Sequence, residues 1–501
     1  VRRTRSTTLA LAAVALGGIG GAAALAAPVP PAPIPNTPGA TAAEFTGKPA
    51  RPDPVAMPAV PRHPYMARNG LSNTHDDAYQ SDTYRWRGPL GRSTVVSSTE
   101  NVHECGTLTF DSQGRLVTVC VGVAAPFLAM VDPNDLSLLA EMPLPPRTNV
   151  GPDFTTDFSG GGYFYLDHYD RAVVPTTTRH LLVISETDGP AGPGFQTQKD
   201  FDVSGAVPIG DGIVSALPDW RGRIWFVSKK GVVGNVDPNT LAVSSVDLGS
   251  PIGNSFAVDE EGGVYVVSDA QLYRFEAGAG GAPRVIWRHR YPNIGQKKPG
   301  QTEIGSGTTP TLMGQRFVAI TDNADPMNVM VFRRGRHVRR GRRVLCSAPV
   351  FAKGASDTDQ SLIGTDTAMI VENNYGYTGV AKTNGGGVTS PGLERVDIVG
   401  RGHGRYACRK VWHSSERAPS VVPKLSLAAG LVYTYTKPPD PENDDAWYLT
   451  ALDFDTGRTV YRRLSGTGLG HNNHYAPIIL AATGDAYVAT FGGIVRFHDT
   501  R

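Results

Sequence analysis

An excess of charge of either sign is missing: 48 Lys and Arg stand against 46 Asp and Glu, a formal net charge of +2. Nothing in that balance selects a nucleic acid as partner. Cysteine is scarce at four residues, and beyond residue 27 no apolar run is long enough to cross a bilayer. Several catalytic signatures are absent as well. There is no Gly-x-x-x-x-Gly-Lys-Ser/Thr loop, no Gly-x-Ser-x-Gly elbow and no His-Glu-x-x-His pair. Phosphate-loop nucleotide hydrolysis, α/β-hydrolase chemistry and zincin proteolysis therefore lose support.

What is abundant is turn-forming. With 58 Gly, 39 Pro and only 19% charged residues among 501, the chain favours strands and tight turns over helices. Its start, Val1-Arg2-Arg3-Thr4-Arg5, precedes an apolar, small-residue run that closes on Ala24-Leu25-Ala26. Residues 1–26 are therefore expected to be a signal peptide, using general secretion or a twin-arginine route, and the mature protein to be extracellular. Residues 27–63 are Pro/Ala-rich and read as a linker, residues 64–92 as an ordered lead-in, and residues 93–501 as the folded body.

In that body one unit returns: a polar lead-in, an apolar strand, a tight turn and a second strand rich in Val, Ile, Tyr and Trp. The turn is explicit in Asp111-Ser-Gln-Gly114, Asp219-Trp-Arg-Gly222 and Asp259-Glu-Glu-Gly262, with looser copies further on. First strands placed near Cys105, Gly160, Ser215, Ser255, Thr309, Ser361, Lys424 and Tyr475 give a mean spacing of about 53 residues, the scale of a four-stranded propeller blade. The expected fold is all-β, a single β-propeller of eight four-stranded blades, with seven as the alternative. The last copy supplies only three strands, whereas Ser93-Thr-Val-Val-Ser-Ser98 is a strand without a blade. Pairing the two closes the ring and covers both edges.

The turns Asp237-Pro-Asn-Thr240 and Asp455-Thr-Gly457, with the strands around them, resemble the repeat of quinoprotein alcohol-dehydrogenase-like (PQQ-repeat-like) propellers. The resemblance covers the repeat framework and implies the propeller fold, with redox chemistry as a third functional reading. The chain has no adjacent Cys-Cys pair and few tryptophans at the repeat ends, departures that argue against bound pyrroloquinoline quinone, PQQ.

In such a blade the lead-in to the innermost strand and the turn between the second and third strands open on one face, so they rim one funnel. That logic gathers His103, Glu104, Asp157, Asn254, Thr309, Asp359, Glu372, Asn373, Lys424, Asn473, His474 and Tyr475 around a shared mouth. For most of them taken singly, capping of a turn or strand end is the blander expectation. As a ring they point to a small molecule or glycan, with His103, His474 and Lys424 as proton-transfer or charge-stabilising groups and Asp359 and Glu372 as carboxylates for hydrolysis or elimination. A non-catalytic binding scaffold is the alternative.

Asp322-Asn323-Ala-Asp325 offers the oxygen donors that Ca²⁺ takes, although an Asx turn explains the same residues. A run of seven arginines at positions 333, 334, 336, 339, 340, 342 and 343 falls between the third and fourth strands of its blade, opposite the funnel. A solvated hairpin is one reading of it and an anionic cell-surface polymer the other. Cys105 and Cys120 flank a hairpin turning at Ser112-Gln113; pairing Phe110 with Arg115 sets the two cysteines opposite each other, and Cys346 with Cys408 makes the second expected disulfide.

Overall fold

The computed structural model describes residues 31–100, 104–121, 125–148, 157–190, 192–339 and 341–501. Eight sheets, each built on four antiparallel strands, are arranged as the blades of a β-propeller; in blade seven Thr83–Tyr84 adds a parallel strand beside the innermost one. Innermost strands start at Glu104, Tyr165, Ile213, Ala257, Thr311, Ile363, Lys424 and Ile478, within a few residues of the positions read from the repeat. Ring closure is as expected: Thr94–Glu100 pairs antiparallel with Gly493–Asp499 and completes blade eight.

The Asp turns owe their regularity to one device. Asp111 accepts from the backbone N–H groups of Gln113 and Arg115, Asp219 from Arg221 and Arg223, and Asp259 from Glu261 and Gly263. Each carboxylate satisfies the turn that water would otherwise have to reach. Gly114, Gly222 and Gly262 adopt φ near +80°, which only glycine reaches without strain. A fourth copy, Asp167-His-Tyr-Asp170, uses the same bonds, with Asp170 at φ +57° in the glycine's place. That substitution hid it from the pattern.

Both disulfides form, Cys105–Cys120 and Cys346–Cys408. The first corrects the expected register: Phe110 faces Leu116, not Arg115, and an irregularity between Cys105 and Leu108 restores Cys105 opposite Cys120. The second joins the outer strands of blades five and six. Two disulfides are consistent with an extracellular protein, and among the described residues no helix is long and apolar enough to cross a membrane.

Residues 31–63, read as a linker, are extended and fixed along the ring. Phe45–Gly47 adds a strand outside blade seven, Asp53 and Val55 donate to Ala429 and Leu427, and Ile34 and Ala50 are buried. Proline and alanine build no core of their own, but extended backbone can satisfy a sheet edge.

The lead-in that follows closes the ring axis at one end. Ala67 donates to Leu166, and Ala78, Tyr79, Ser81, Asp82 and Tyr84 accept from Val258, Leu312, Gly364, Leu425 and Leu427. Trp86 Nε1 donates to Leu480, Thr109 donates to the Leu71 carbonyl, and His63 stacks edge-on against Trp220. The segment thus touches every blade where the innermost strands end. The lead-in loops open at the other end, on a funnel with a floor.

Candidate functional site

The floor is held by an ion cluster. Lys424, at the start of an innermost strand, donates to Asp82 at 2.5 Å, to Asp76 at 3.3 Å and to the Thr74 carbonyl. His75 lies 3.1 Å from Asp82 through Nδ1 and 3.2 Å from Ser361 through Nε2, and Tyr84 donates to Asp76. Burial works against the Lys424 charge, but the two carboxylates outweigh it and hold its pKa above the ordinary lysine value. Lys424 is therefore a cross-link between plug and blade seven.

Above this floor lies a cavity of about 260 Å³. It collects Glu104, Arg147, Asp157, Asp359, His474 and Tyr475, with aromatic walls from Phe158 and Tyr163. Blades one, two, six, seven and eight contribute, blade seven through Val422. A larger cavity of about 710 Å³ runs between residues 55–63 and the far side of the plug. The carboxylates it reaches, Asp76 and Asp77, are already hydrogen-bonded within the plug, so the funnel is the stronger candidate.

His474 carries the clearest chemistry. Its backbone is in the left-handed region at φ +33°, and its N–H donates to Asn472 Oδ1. Nδ1 sits 2.7 Å from the Tyr377 hydroxyl, which also donates to Asn472 Oδ1 at 3.2 Å. Nε2 faces Glu104 Oε1 at 4.0 Å. Burial pushes the Glu104 carboxyl well above its ordinary pKa, with Arg147 pulling the other way. Burial thus biases Glu104 towards its protonated form, the form able to donate.

On the next wall Asp157 is held as a carboxylate. Burial alone would raise its pKa, but Ser159 and Lys229, the latter at 3.0 Å, bring it below the ordinary value. Arg147 approaches Asp157 at 3.7 Å, and burial lowers its pKa against the pull of Asp157 and Glu104. Asp359 accepts from the Thr302 amide and hydroxyl; burial lifts it to about 7 against those bonds. Phe158, Tyr163 and Tyr475 form an aromatic side, Phe158 lying 5.2 Å from Tyr475 and 6.4 Å from Tyr163.

Of the residues expected at the mouth, Glu104, Asp157, Asp359, His474 and Tyr475 meet in this cavity. His103 lies outside the described residues. Glu372 is buried and accepts from Asn374 and Thr434, while Asn373 donates to the Ala355 and Pro391 carbonyls. Asn254 accepts from Tyr163 and so steadies a wall residue. Thr309 donates its amide to Ser361, and Asn473 caps the Ala476 carbonyl. Asp322 caps its own turn, Asn323 donates to Asn293, Gln296 and Ile304, and Asp325 accepts from Gly354. The cation beside that turn is the ammonium of Lys298, bonded to the Ala324 and Ser356 carbonyls. Among the described residues no group of three or more His, Cys, Asp or Glu side chains is arranged to hold a metal ion.

Arg147, Phe158 and Tyr163 were not read from the sequence. Their signal was the long connection between blades one and two, where a glycine run, Gly160-Gly161-Gly162, is flanked by aromatics. A side chain at Gly162 would meet the Phe158 carbonyl at 2.6 Å, so this tight turn sets the Phe158 ring.

Fold and site together define a β-propeller with a blind, partly aromatic funnel. No family model matches the chain. An uncharacterized protein of Archaeoglobus fulgidus is 30% identical over 320 residues, covering 57% of this chain and 61% of that protein. Among solved propellers, a streptogramin B lyase aligns over 81% of this chain and 97% of its own with a TM-score of 0.39 and 10% identity. Sqt1 from Chaetomium thermophilum aligns over 77% and 93%, with a TM-score of 0.47 and 12% identity.

Proposed function

We propose that the funnel binds a small molecule or the end of a glycan chain, and that His474 and Glu104 move a proton on it in a hydrolysis or elimination. The observation that carries this reading is the opposition of His474 Nε2 and Glu104 Oε1 at 4.0 Å on the wall of a cavity closed below. In the tautomer that lets the Tyr377 proton go to Asn472, His474 Nδ1–H donates to the phenol oxygen and Nε2 is the basic nitrogen. Glu104, whose carboxyl burial shifts towards the protonated form, is the matching acid. Phe158, Tyr163 and Tyr475 offer apolar faces against which a sugar ring or planar ligand can lie, and Asp157 offers a fixed acceptor.

Incubation with a panel of cell-wall and plant glycans, read out as new reducing ends or unsaturated products, tests the reading. Turnover by the wild type is expected to fall about 100-fold or more in Glu104→Gln, the scale of losing a general acid, with ligand binding retained. Saturable binding without any product, in wild type and variant alike, would leave a binding scaffold and remove the proton-transfer assignment.

A further inference from the structure

The face opposite the funnel carries a second feature, built from hairpins of two blades. In blade five, strands Asn328–Arg333 and Val344–Pro349 are joined by the arginine-rich hairpin; in blade six, Leu393–Gly400 and Tyr406–Ser414 are joined by Arg401-Gly-His-Gly-Arg405. The two tips are locked to each other. Arg333 donates to the Gly404 carbonyl at 3.0 Å and lies over the Tyr406 ring, and the Cys346–Cys408 disulfide joins the strands behind them. Arg343 bonds the Arg333 and Gly335 carbonyls and covers Trp287, which fixes the hairpin from within.

On this rigid base Arg336, Arg339, Arg342, Arg401 and Arg405 are exposed. Among the described residues the ion pairs of the hairpin are Arg334 with Glu260 and Arg336 with Glu276. Arg339, Arg342, Arg401 and Arg405 thus present a cluster of guanidiniums to solvent on a chain whose overall charge is nearly balanced. Such a concentration of like charge repels itself and is relieved by an anionic partner.

We infer that this face is a docking surface for a linear anionic polysaccharide, one bearing sulfate or carboxylate groups along its length. Guanidinium forks pair with both groups in two-point fashion, and their spread over two hairpin tips suits a chain laid across both blades. A single-stranded nucleic acid is disfavoured by the rings nearby. Tyr406, Phe317 and Trp287 already lie under Arg333, Arg316 and Arg343, so they offer no open face for stacking bases. The disulfide beneath the patch agrees with a site facing an oxidising exterior, where such polysaccharides occur.

The test uses the intact protein with heparin as the anionic polysaccharide, dextran as its neutral counterpart and duplex DNA as the competing polyanion, at 50 and 200 mM salt. Wild type is expected to bind heparin, to lose affinity on the order of tenfold or more across that salt range, and to ignore dextran. The variant R339S/R342S/R401S/R405S is expected to lose heparin binding at least tenfold while its circular dichroism and melting temperature match wild type. A control, K48S/R51S, removes two exposed charges beside blade seven and is expected to bind heparin as wild type does. Equal heparin binding by the quadruple variant, an equal loss in the control, or tighter binding of DNA than of heparin at the same salt would overturn the inference.

Discussion

Replacing Lys424 with Met keeps the aliphatic stem and deletes the ammonium, leaving Asp76 and Asp82 facing each other in the plug without their shared cation. Lys424 is 1% exposed, Asp76 4% and Asp82 0%, so water cannot take over. Removing one partner of such a buried cluster costs about 3–5 kcal/mol, because the remaining charge stays desolvated. Against a typical total of about 5–15 kcal/mol this is a large fraction, and the melting temperature should fall by roughly 5–10 °C. The loss should also depend on pH in a known direction. Burial already lifts the Asp76 carboxyl to about 7 against the pull of Lys424; without the lysine it rises further, the folded protein holds a proton that the unfolded chain releases, and the variant becomes less stable as pH increases. Thermal melts of wild type and Lys424→Met at pH 5 and pH 8, with Asp82→Asn added to the variant as partial rescue, measure both effects. A loss below about 1 kcal/mol, or one equal at the two pH values, would refute the assignment of Lys424 as a structural cross-link. It would return Lys424 to the candidate catalytic groups.

The buried carboxyl of Asp357 has no hydrogen-bond partner among the described residues, and burial lifts its pKa to about 8. Between the unfolded value near 3.8 and that folded value the native state holds the extra proton, so its contribution to stability is full below the window and is lost as pH rises through it, by about 1.4 kcal/mol per pH unit. Asp357→Asn is expected to flatten the decline in melting temperature between pH 5 and pH 8; an unchanged slope would show that Asp357 is ionised in the fold. Cys346 and Cys408 are 62 residues apart, and the double variant C346S/C408S should lose about 2–4 kcal/mol, measured by urea unfolding under oxidising conditions. If wild type in reducing agent unfolds at the same urea concentration as wild type without it, the bridge contributes nothing to stability.

The sequence alone determined the fold class and the closure of the ring, and narrowed the blade count to eight or seven, of which the structure has eight. These follow from local chemistry: an Asp whose carboxylate satisfies its own turn, a glycine at positive φ, and strands of fixed length between them. Three strands in the last repeat and a stray strand before the first could be matched by counting. The Cys105–Cys120 pair was legible for the same reason, although the register in that hairpin was one residue off because a bulge leaves no mark in the pattern; Cys346 and Cys408 were suggested only by matching places in successive repeats, and the structure made the pair.

Only the tertiary structure sorted the polar lead-ins. Glu104, Asp157, Asp359, His474 and Tyr475 share a cavity, while Glu372 is bonded by the Asn374 and Thr434 side chains and Asn373 and Asn473 cap backbone carbonyls. A lead-in occupies the same place in every repeat whichever role it plays, so position could not separate them. Lys424 shows the limit best. Its role depends on Asp76 and Asp82, more than 340 residues away in the chain, brought to it by the 64–92 lead-in, a segment expected to lie across the ring but with nothing local to say which side chains it would meet there. Local propensity records what a residue can do; the partners that decide what it does are set by closure of the ring around that segment.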